Sequence, residues 1–169
     1  MRELFLVRHA KSSWDDPMLS DFDRPLNSRG KEDAPLMGEH LKKLGIKPDL
    51  ILSSPAKRAK KTAKILAAKL GYPEEKIEWR EQIYEASAQT LLYLVCQLPQ
   101  GAKRVMVIGH NPGLTMLANI LGDITIENIP TAGVVGVAFD TSDWQEACRM
   151  QGHTILFEYP KKIKERTTK

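Results

Sequence analysis

The sequence is poor in the features that would assign it to several large protein classes. It has only two cysteines, Cys96 and Cys148, far apart and outside any CxxC or Cys/His cluster. This pattern suggests neither a disulfide framework nor a structural zinc site, and it reads Cys96, in an apolar helical stretch, as an unpaired core residue. No apolar run approaches the ~20 residues needed to cross a bilayer. The opening "MRELFLVRHA" has neither the long apolar core nor the small-residue cleavage site of a secretory signal. There are no repeats, no low-complexity linker and no aromatic-interleaved basic motif. From these absences we expect a cytoplasmic protein with no membrane and no nucleic-acid partner, organised as one domain over 1–160 with a basic C-terminal tail over 161–169.

The charge balance is basic, +4 over 169 residues with a pI near 9.0, but the cations are patterned. They recur at helical spacing in "KRAKKTAKILAAK" and end the chain in "PKKIKERTTK". A solvated helix face accounts for the first, and attraction of a phosphorylated substrate is the expected use of the positive potential.

Apolar strand-like runs alternate with helical ones. "ELFLV" reads as the first strand. Asn27 is placed to cap a helix from Ser28 to about Leu44, stopped by Gly45. "DLILS" is a second strand, followed by a helix with Pro55 in its first turn and Gly71 past its end. "KIEWR" is a short strand, "AQTLLYLVCQL" a helix, "RVMVIG" a buried strand and "NPGLTMLANILG" another helix. "GVVGVAF" and "HTILFEY" close the chain as two strands. This alternation predicts an α/β fold: a three-layer α/β/α sandwich with a mostly parallel central sheet and an antiparallel edge.

In open α/β sheets ligands sit beyond the carboxyl ends of the strands. Arg8 and His9 follow the first strand. Ser53, Ser54 and, one turn on, Arg58 follow the second, and His110 and Asn111 follow "RVMVIG". Two guanidinium forks match the equatorial oxygens of a phosphoryl group. A neutral imidazole is a competent nucleophile near pH 7, and a second one can stabilise developing charge. No metal or other cofactor is expected.

"LVRHAKSSW", "SSPAKRAKKTA" and "VIGHNPG" together resemble the histidine phosphatase superfamily, which is phosphoglycerate mutase-like in fold, and within it the SixA-type phosphohistidine phosphatases. The loop "DFDRPLNSRGKEDA" is similar to that branch as well. The resemblance implies that Arg8 and Arg58 bind phosphate, that His9 is the nucleophile that becomes phosphorylated, and that His110 contacts the phosphoryl group. Many superfamily members read Arg-His-Gly, whereas Ala10 and Lys11 follow His9 here. Mutases and acid phosphatases usually place a carboxylate on an inserted segment or directly beside the second histidine; here Asn111 follows His110 and there is no long insertion.

A labile N-phosphoryl bond needs less acid assistance than an ester, so a phosphohistidine-bearing protein is the expected substrate, handled by a monomer. The alternatives are a phosphomonoesterase acting on a small phosphate ester, with Glu85 of "IYEAS" as its acid, and a non-catalytic module that reads phosphate. Lys11, Ser54, Glu85, Asn111 and Thr131 are further candidates for substrate or phosphate contact. Glu85 reads equally well as a loop carboxylate or a helix cap. Asp21, Asp23 and Arg24 are expected to organise the loop beside the site through an internal ion pair. Trp14 is expected either over the site mouth or in the core.

Overall fold

The apolar run that opens the chain becomes the middle of the sheet. The computed structural model describes residues 1–167, and in it β1 (Arg2–Arg8) buries Leu4, Phe5, Leu6 and Val7 almost completely. Because both faces of the strand are covered, its sequence is a continuous apolar run and not an alternation. Five more strands follow: β2 (Leu50–Ser53), β3 (Glu78–Trp79), β4 (Arg104–Gly109), β5 (Val134–Phe139) and β6 (His153–Glu158). Their order across the sheet is β3-β2-β4-β1-β5-β6. The first four strands are parallel, while β5 runs antiparallel to β1 and β6 antiparallel to β5.

Successive side chains of a strand point to opposite faces, and the two faces carry separate cores. Phe5, Val7, Ile51, Met106 and Ile108 meet Met37 and Leu41 of α1 (Ser28–Lys43) and Ala59, Ala63 and Leu66 of α2 (Lys57–Leu70). Leu4, Leu6, Leu52, Val105 and Val107 meet Leu91, Leu94 and Val95 of α3 (Ala88–Cys96) and Leu114, Leu117 and Leu121 of α4 (Gly113–Leu121). The result is the expected α/β/α sandwich.

Local chemistry sets the helix ends. Asn27 Oδ1 accepts the Gly30 N–H at 2.8 Å and so caps α1. Gly71, at φ 73° in the left-handed region, closes α2 without the penalty a Cβ would bring.

Three features depart from the sequence reading. Residues Trp144–Ala147 form a short helix, α5, whose Trp144 is fully buried and donates its indole N–H to the Ala102 carbonyl at 2.7 Å. The basic stretch expected as a tail forms α6 (Pro160–Thr167) instead, because Ile163 finds a place in the α1/α2 core and Lys164 bonds Asp33 at 2.9 Å; residues 168 and 169 lie outside the described part.

Cys96, expected as an unpaired core residue, is in a disulfide with Cys148 (Cα–Cα 5.3 Å). The pairing joins α3 to the residue that follows α5 across 52 positions of sequence. Only the packing of those helices brings the sulfurs together.

Candidate active site

Strands β2, β4 and β1 are immediate neighbours, so their carboxyl ends lie side by side. The order explains why motifs about 50 residues apart in sequence converge. Backbone bonds fix the three ends: His9 N–H donates to Gly109 O at 3.1 Å and Ser54 N–H to Ile108 O at 3.0 Å. From the other side, Ala132 N–H, at φ 59°, donates to Arg8 O and His9 O, both at 3.1 Å, and Arg8 N–H donates to Gly133 O at 3.0 Å. The segment Thr131-Ala132-Gly133 therefore braces the end of β1.

The two imidazoles are buried, with ring centroids 5.1 Å apart. His9 Nδ1 lies 2.7 Å from Ala10 O. A carbonyl only accepts, so Nδ1 carries the hydrogen and Nε2 is left as a lone pair. Toward that Nε2, Arg58 Nε donates at 3.4 Å. His110 has the opposite tautomer: Arg58 Nη2 lies 3.4 Å from Nδ1 and only donates, so Nε2–H is directed at Ser54 Oγ, 2.8 Å away.

Burial above all pushes the His9 pKa down to about 3, with the charges of His110, Arg58 and Arg8 adding to the effect against the bond to Ala10. Burial, then Arg58, brings His110 down to about 4. Both rings are neutral at physiological pH.

Arg58 is held by Asp21. Its Nη1 donates to the Asp21 carbonyl at 2.6 Å and its Nη2 to Asp21 Oδ2 at 3.0 Å. Asp21 Oδ1 accepts from Arg24 Nη1 at 2.9 Å, the expected internal ion pair, and Oδ2 accepts the Tyr84 hydroxyl at 2.6 Å. Desolvation would raise the Asp21 pKa, yet the hydrogen bonds from Tyr84 and Arg58 and the Arg58 charge hold it down at about 2. Desolvation and the Asp21 carboxylate push the Tyr84 phenol up to about 12. On the far side, Arg8 Nη1 donates to Ile129 O at 3.0 Å, while its Nε is buried with no hydrogen-bond partner among the described residues.

Of the other candidates, Ser54 joins the cluster through His110. Asn111 braces the turn: its Oδ1 accepts from Thr115 N–H at 3.1 Å and from the Thr115 hydroxyl at 2.8 Å, and its Nδ2 donates to Ile129 O at 3.0 Å. Lys11 is exposed, and among the described residues its side chain has no hydrogen bond or ion pair. Thr131 is half-buried, likewise without a side-chain hydrogen bond. Glu85 is exposed at φ 52°, and the cap of α3 is Ser87. Trp14 is not a core residue: it is exposed, with the Arg24 guanidinium 3.2 Å from its ring centre.

Tyr84 is the residue that sequence reasoning missed. It also stacks edge-on against His110, ring centroids 5.4 Å apart, and against Phe22, 5.2 Å apart. A bulky aromatic in the loop between β3 and α3 was its only local signal.

Paired histidines and arginines at the carboxyl edge of adjacent parallel strands in an α/β/α sandwich define a phosphoryl-transfer class of protein. The chain belongs to the histidine phosphatase superfamily: residues 4–92 match the model of its branch 1. An uncharacterised chloroplastic protein of Arabidopsis thaliana is 35% identical over 159 residues, 89% of this chain and 72% of that protein. An uncharacterised protein of Mycobacterium tuberculosis is 31% identical over 147 residues, 87% of this chain and 89% of that one.

Among solved structures, a candidate phosphohistidine phosphatase SixA from Agrobacterium tumefaciens is 28% identical with a TM-score of 0.80, covering 94% of this chain and 98% of that one. The protein histidine phosphatase SixA in complex with tungstate has the same fold, with a TM-score of 0.79 at 24% identity over 94% and 97% of the two chains. Within the superfamily the chain is of the SixA type, a phosphatase.

Proposed function

We propose that the chain is a metal-independent phosphohistidine phosphatase that works through a phosphohistidine on His9. The observation that carries the choice of substrate is the state of Asp21. Among the described residues it is the carboxylate that touches the histidine–arginine cluster, and at about 2 its pKa leaves it without a proton to give at neutral pH. A phosphate ester leaves as an alkoxide and calls for an acid at this point. A phosphohistidine protonated on its second ring nitrogen leaves as neutral imidazole and does not.

In this reading the His9 Nε2 lone pair attacks phosphorus in line as the substrate P–N bond breaks. Arg8 and Arg58 hold the equatorial oxygens. The charge of the bound phosphoryl group favours the imidazolium form of His110, which offsets the charge that develops. Water then attacks the phosphorus of phospho-His9. The P–N bond breaks, its electron pair returns to Nε2, a proton of the water passes to solvent, and phosphate departs. The buried, unpartnered Nε of Arg8 supports the assignment, since an oxyanion would satisfy a donor that is otherwise costly to bury.

The test compares turnover of a phosphohistidine-bearing protein, p-nitrophenyl phosphate and a sugar phosphate in the presence of EDTA, for wild type and His9→Ala. Fast cleavage of the phosphohistidine alone, an acid-labile phosphoenzyme and an inactive His9→Ala are expected. Faster turnover of the esters would move the assignment to an ester substrate with Glu85 as acid. Activity surviving in His9→Ala would sink the mechanism.

A further inference from the structure

Beside the site lies a groove of about 440 Å³ lined by Pro25, Leu26, Lys31, Lys57, Lys60, Lys61 and Lys64. Its origin is the face pattern of α2. Arg58, Ala59, Thr62, Ala63, Leu66 and Ala67 are buried, which leaves Lys57, Lys60, Lys61 and Lys64 in one outward stripe at i, i+3, i+4 and i+7. Among the described residues no carboxylate lines the groove.

Further along the same helix Lys69 is matched by Glu39 at 2.8 Å. Among the described residues no acidic side chain pairs with Lys31, Lys57, Lys60, Lys61 or Lys64, and Lys60 rests 5.1 Å above the Trp79 ring. Five like charges facing one cleft repel each other, and an anionic occupant would relieve that repulsion. The lysine stems, with Pro25 and Leu26, make the floor apolar beneath a cationic rim.

The groove adjoins the histidine–arginine cluster along α2 and the loop before α1. Lys57 adjoins Arg58 in the first turn of α2, and Thr62, one turn on, accepts from Ala10 N–H at 3.0 Å and donates to Arg58 O at 2.8 Å. Pro25 and Leu26 continue the loop whose Asp21 grips Arg58. A polypeptide lying in the groove would therefore reach His9 within a few residues.

We propose that this groove docks an acidic segment of the phosphorylated protein substrate, an inference that rests on the reading of a phosphoprotein substrate above. Lysine is suited to such a surface, because its ammonium is a point charge that accepts carboxylates in many orientations, without the bidentate geometry arginine prefers. Apolar side chains between the acids would lie on the stems, Pro25 and Leu26. The phosphoryl group is recognised at the cluster and the protein that carries it is recognised here.

The test is Lys57→Gln/Lys61→Gln/Lys64→Gln, three exposed or half-exposed positions outside the cluster, with a thermal melt to establish that it folds. On a phosphohistidine-bearing protein with an acidic flank, KM should rise about tenfold or more, while kcat and the turnover of free phosphohistidine stay within about twofold. Raising NaCl from 50 to 500 mM should abolish most of this difference, because exposed charges are screened. Equal losses on protein and free amino acid, or no change on the protein, would overturn the docking site.

If wild type turns over free phosphohistidine but no protein, the substrate reading fails, and the groove is then judged by direct binding. A fluorescein-labelled dodecapeptide of Asp and Glu should bind wild type at low salt and lose that binding in the triple variant. Absence of binding to wild type overturns the inference. Binding of an oligonucleotide that competes with the peptide and is lost in the triple variant would overturn it in favour of a nucleic-acid site.

Discussion

The Tyr84 hydroxyl donates to Asp21 Oδ2 at 2.6 Å across 63 residues of sequence, and the same carboxylate oxygen accepts Arg58 Nη2 at 3.0 Å. Asp21 is thereby oriented by Tyr84 and in turn orients the guanidinium between the two histidines. Both bonds end on an ionised carboxylate, and losing a hydrogen bond to a charged group costs roughly 1.5–3 kcal/mol. Asp21→Asn and Tyr84→Phe should each lower kcat/KM by about tenfold or more. Steady-state kinetics of both variants on phosphohistidine checks this. Faster turnover in Asp21→Asn would mean that the carboxylate competes with phosphate and does not position Arg58.

The depressed histidines have a thermodynamic consequence. His9 and His110 titrate at about 3 and about 4 in the folded chain, against an ordinary value near 6.5. As pH falls below about 6.5 the unfolded chain takes up protons that the folded chain refuses, so stability declines from there until the folded values are reached. The urea midpoint should fall between pH 7 and pH 5. Ring ¹⁵N shifts of His9 and His110 should keep their neutral pattern, hydrogen on Nδ1 in His9 and on Nε2 in His110, over the same interval. A histidine of the pair titrating near 6.5 would contradict the burial argument.

Gly113 opens α4, and a Cβ there would sit 2.1 Å from Ala86 O in the segment that follows Tyr84. Backbone has no way to yield except by displacing the start of α4 or the Tyr84 loop. Gly113→Ala should destabilise the fold by about 1–3 kcal/mol and also reduce turnover, since both segments carry parts of the site. Chemical denaturation and kinetics on the same preparation read the two effects together.

The Cys96–Cys148 bridge closes a loop of 52 residues. In the chain-entropy account a loop of that length is stabilised by about 4 kcal/mol, and roughly 2–4 kcal/mol is usual. Reduction with dithiothreitol, or Cys148→Ser, should lower Tm by several degrees and leave kcat/KM nearly unchanged. The bridge ties the end of α3 to the chain after α5, away from the strand ends that bear His9 and His110. A large loss of activity on reduction would show that the two regions are coupled.

Much of this architecture was legible in the chain because its signals are local. Runs such as "LFLV" and "VMVI" are apolar on both faces and read as buried strands, and Asn27 and Gly71 mark helix ends through their own backbone preferences. Arg8, His9, Arg58 and His110 stood out because each follows a strand that could be recognised alone. What escaped depends on distant partners. Tyr84 gains its place from Asp21 and His110, not from its neighbours. The disulfide depends on helices 52 residues apart, and α6 on Ile163 finding the α1/α2 core. Glu85, read as either a loop carboxylate or a cap, gave way as a cap to Ser87, whose hydroxyl accepts Thr90 N–H at 3.2 Å.

The order β2-β4-β1 ties catalysis to the arrival of β4. The portion that matches the superfamily model ends at residue 92, yet the strand that lies between β1 and β2 begins only at Arg104. Neighbouring strands sit about 4.8 Å apart, so without β4 the ends bearing His9 and Ser54 would face each other across a gap of about 10 Å. β4 is the keystone of the arch: it arrives after both abutments, brings His110 with it, and sets the distance between the stones already laid. A nascent chain that has emerged only as far as α3 carries both arginines and the first histidine, but it has no site.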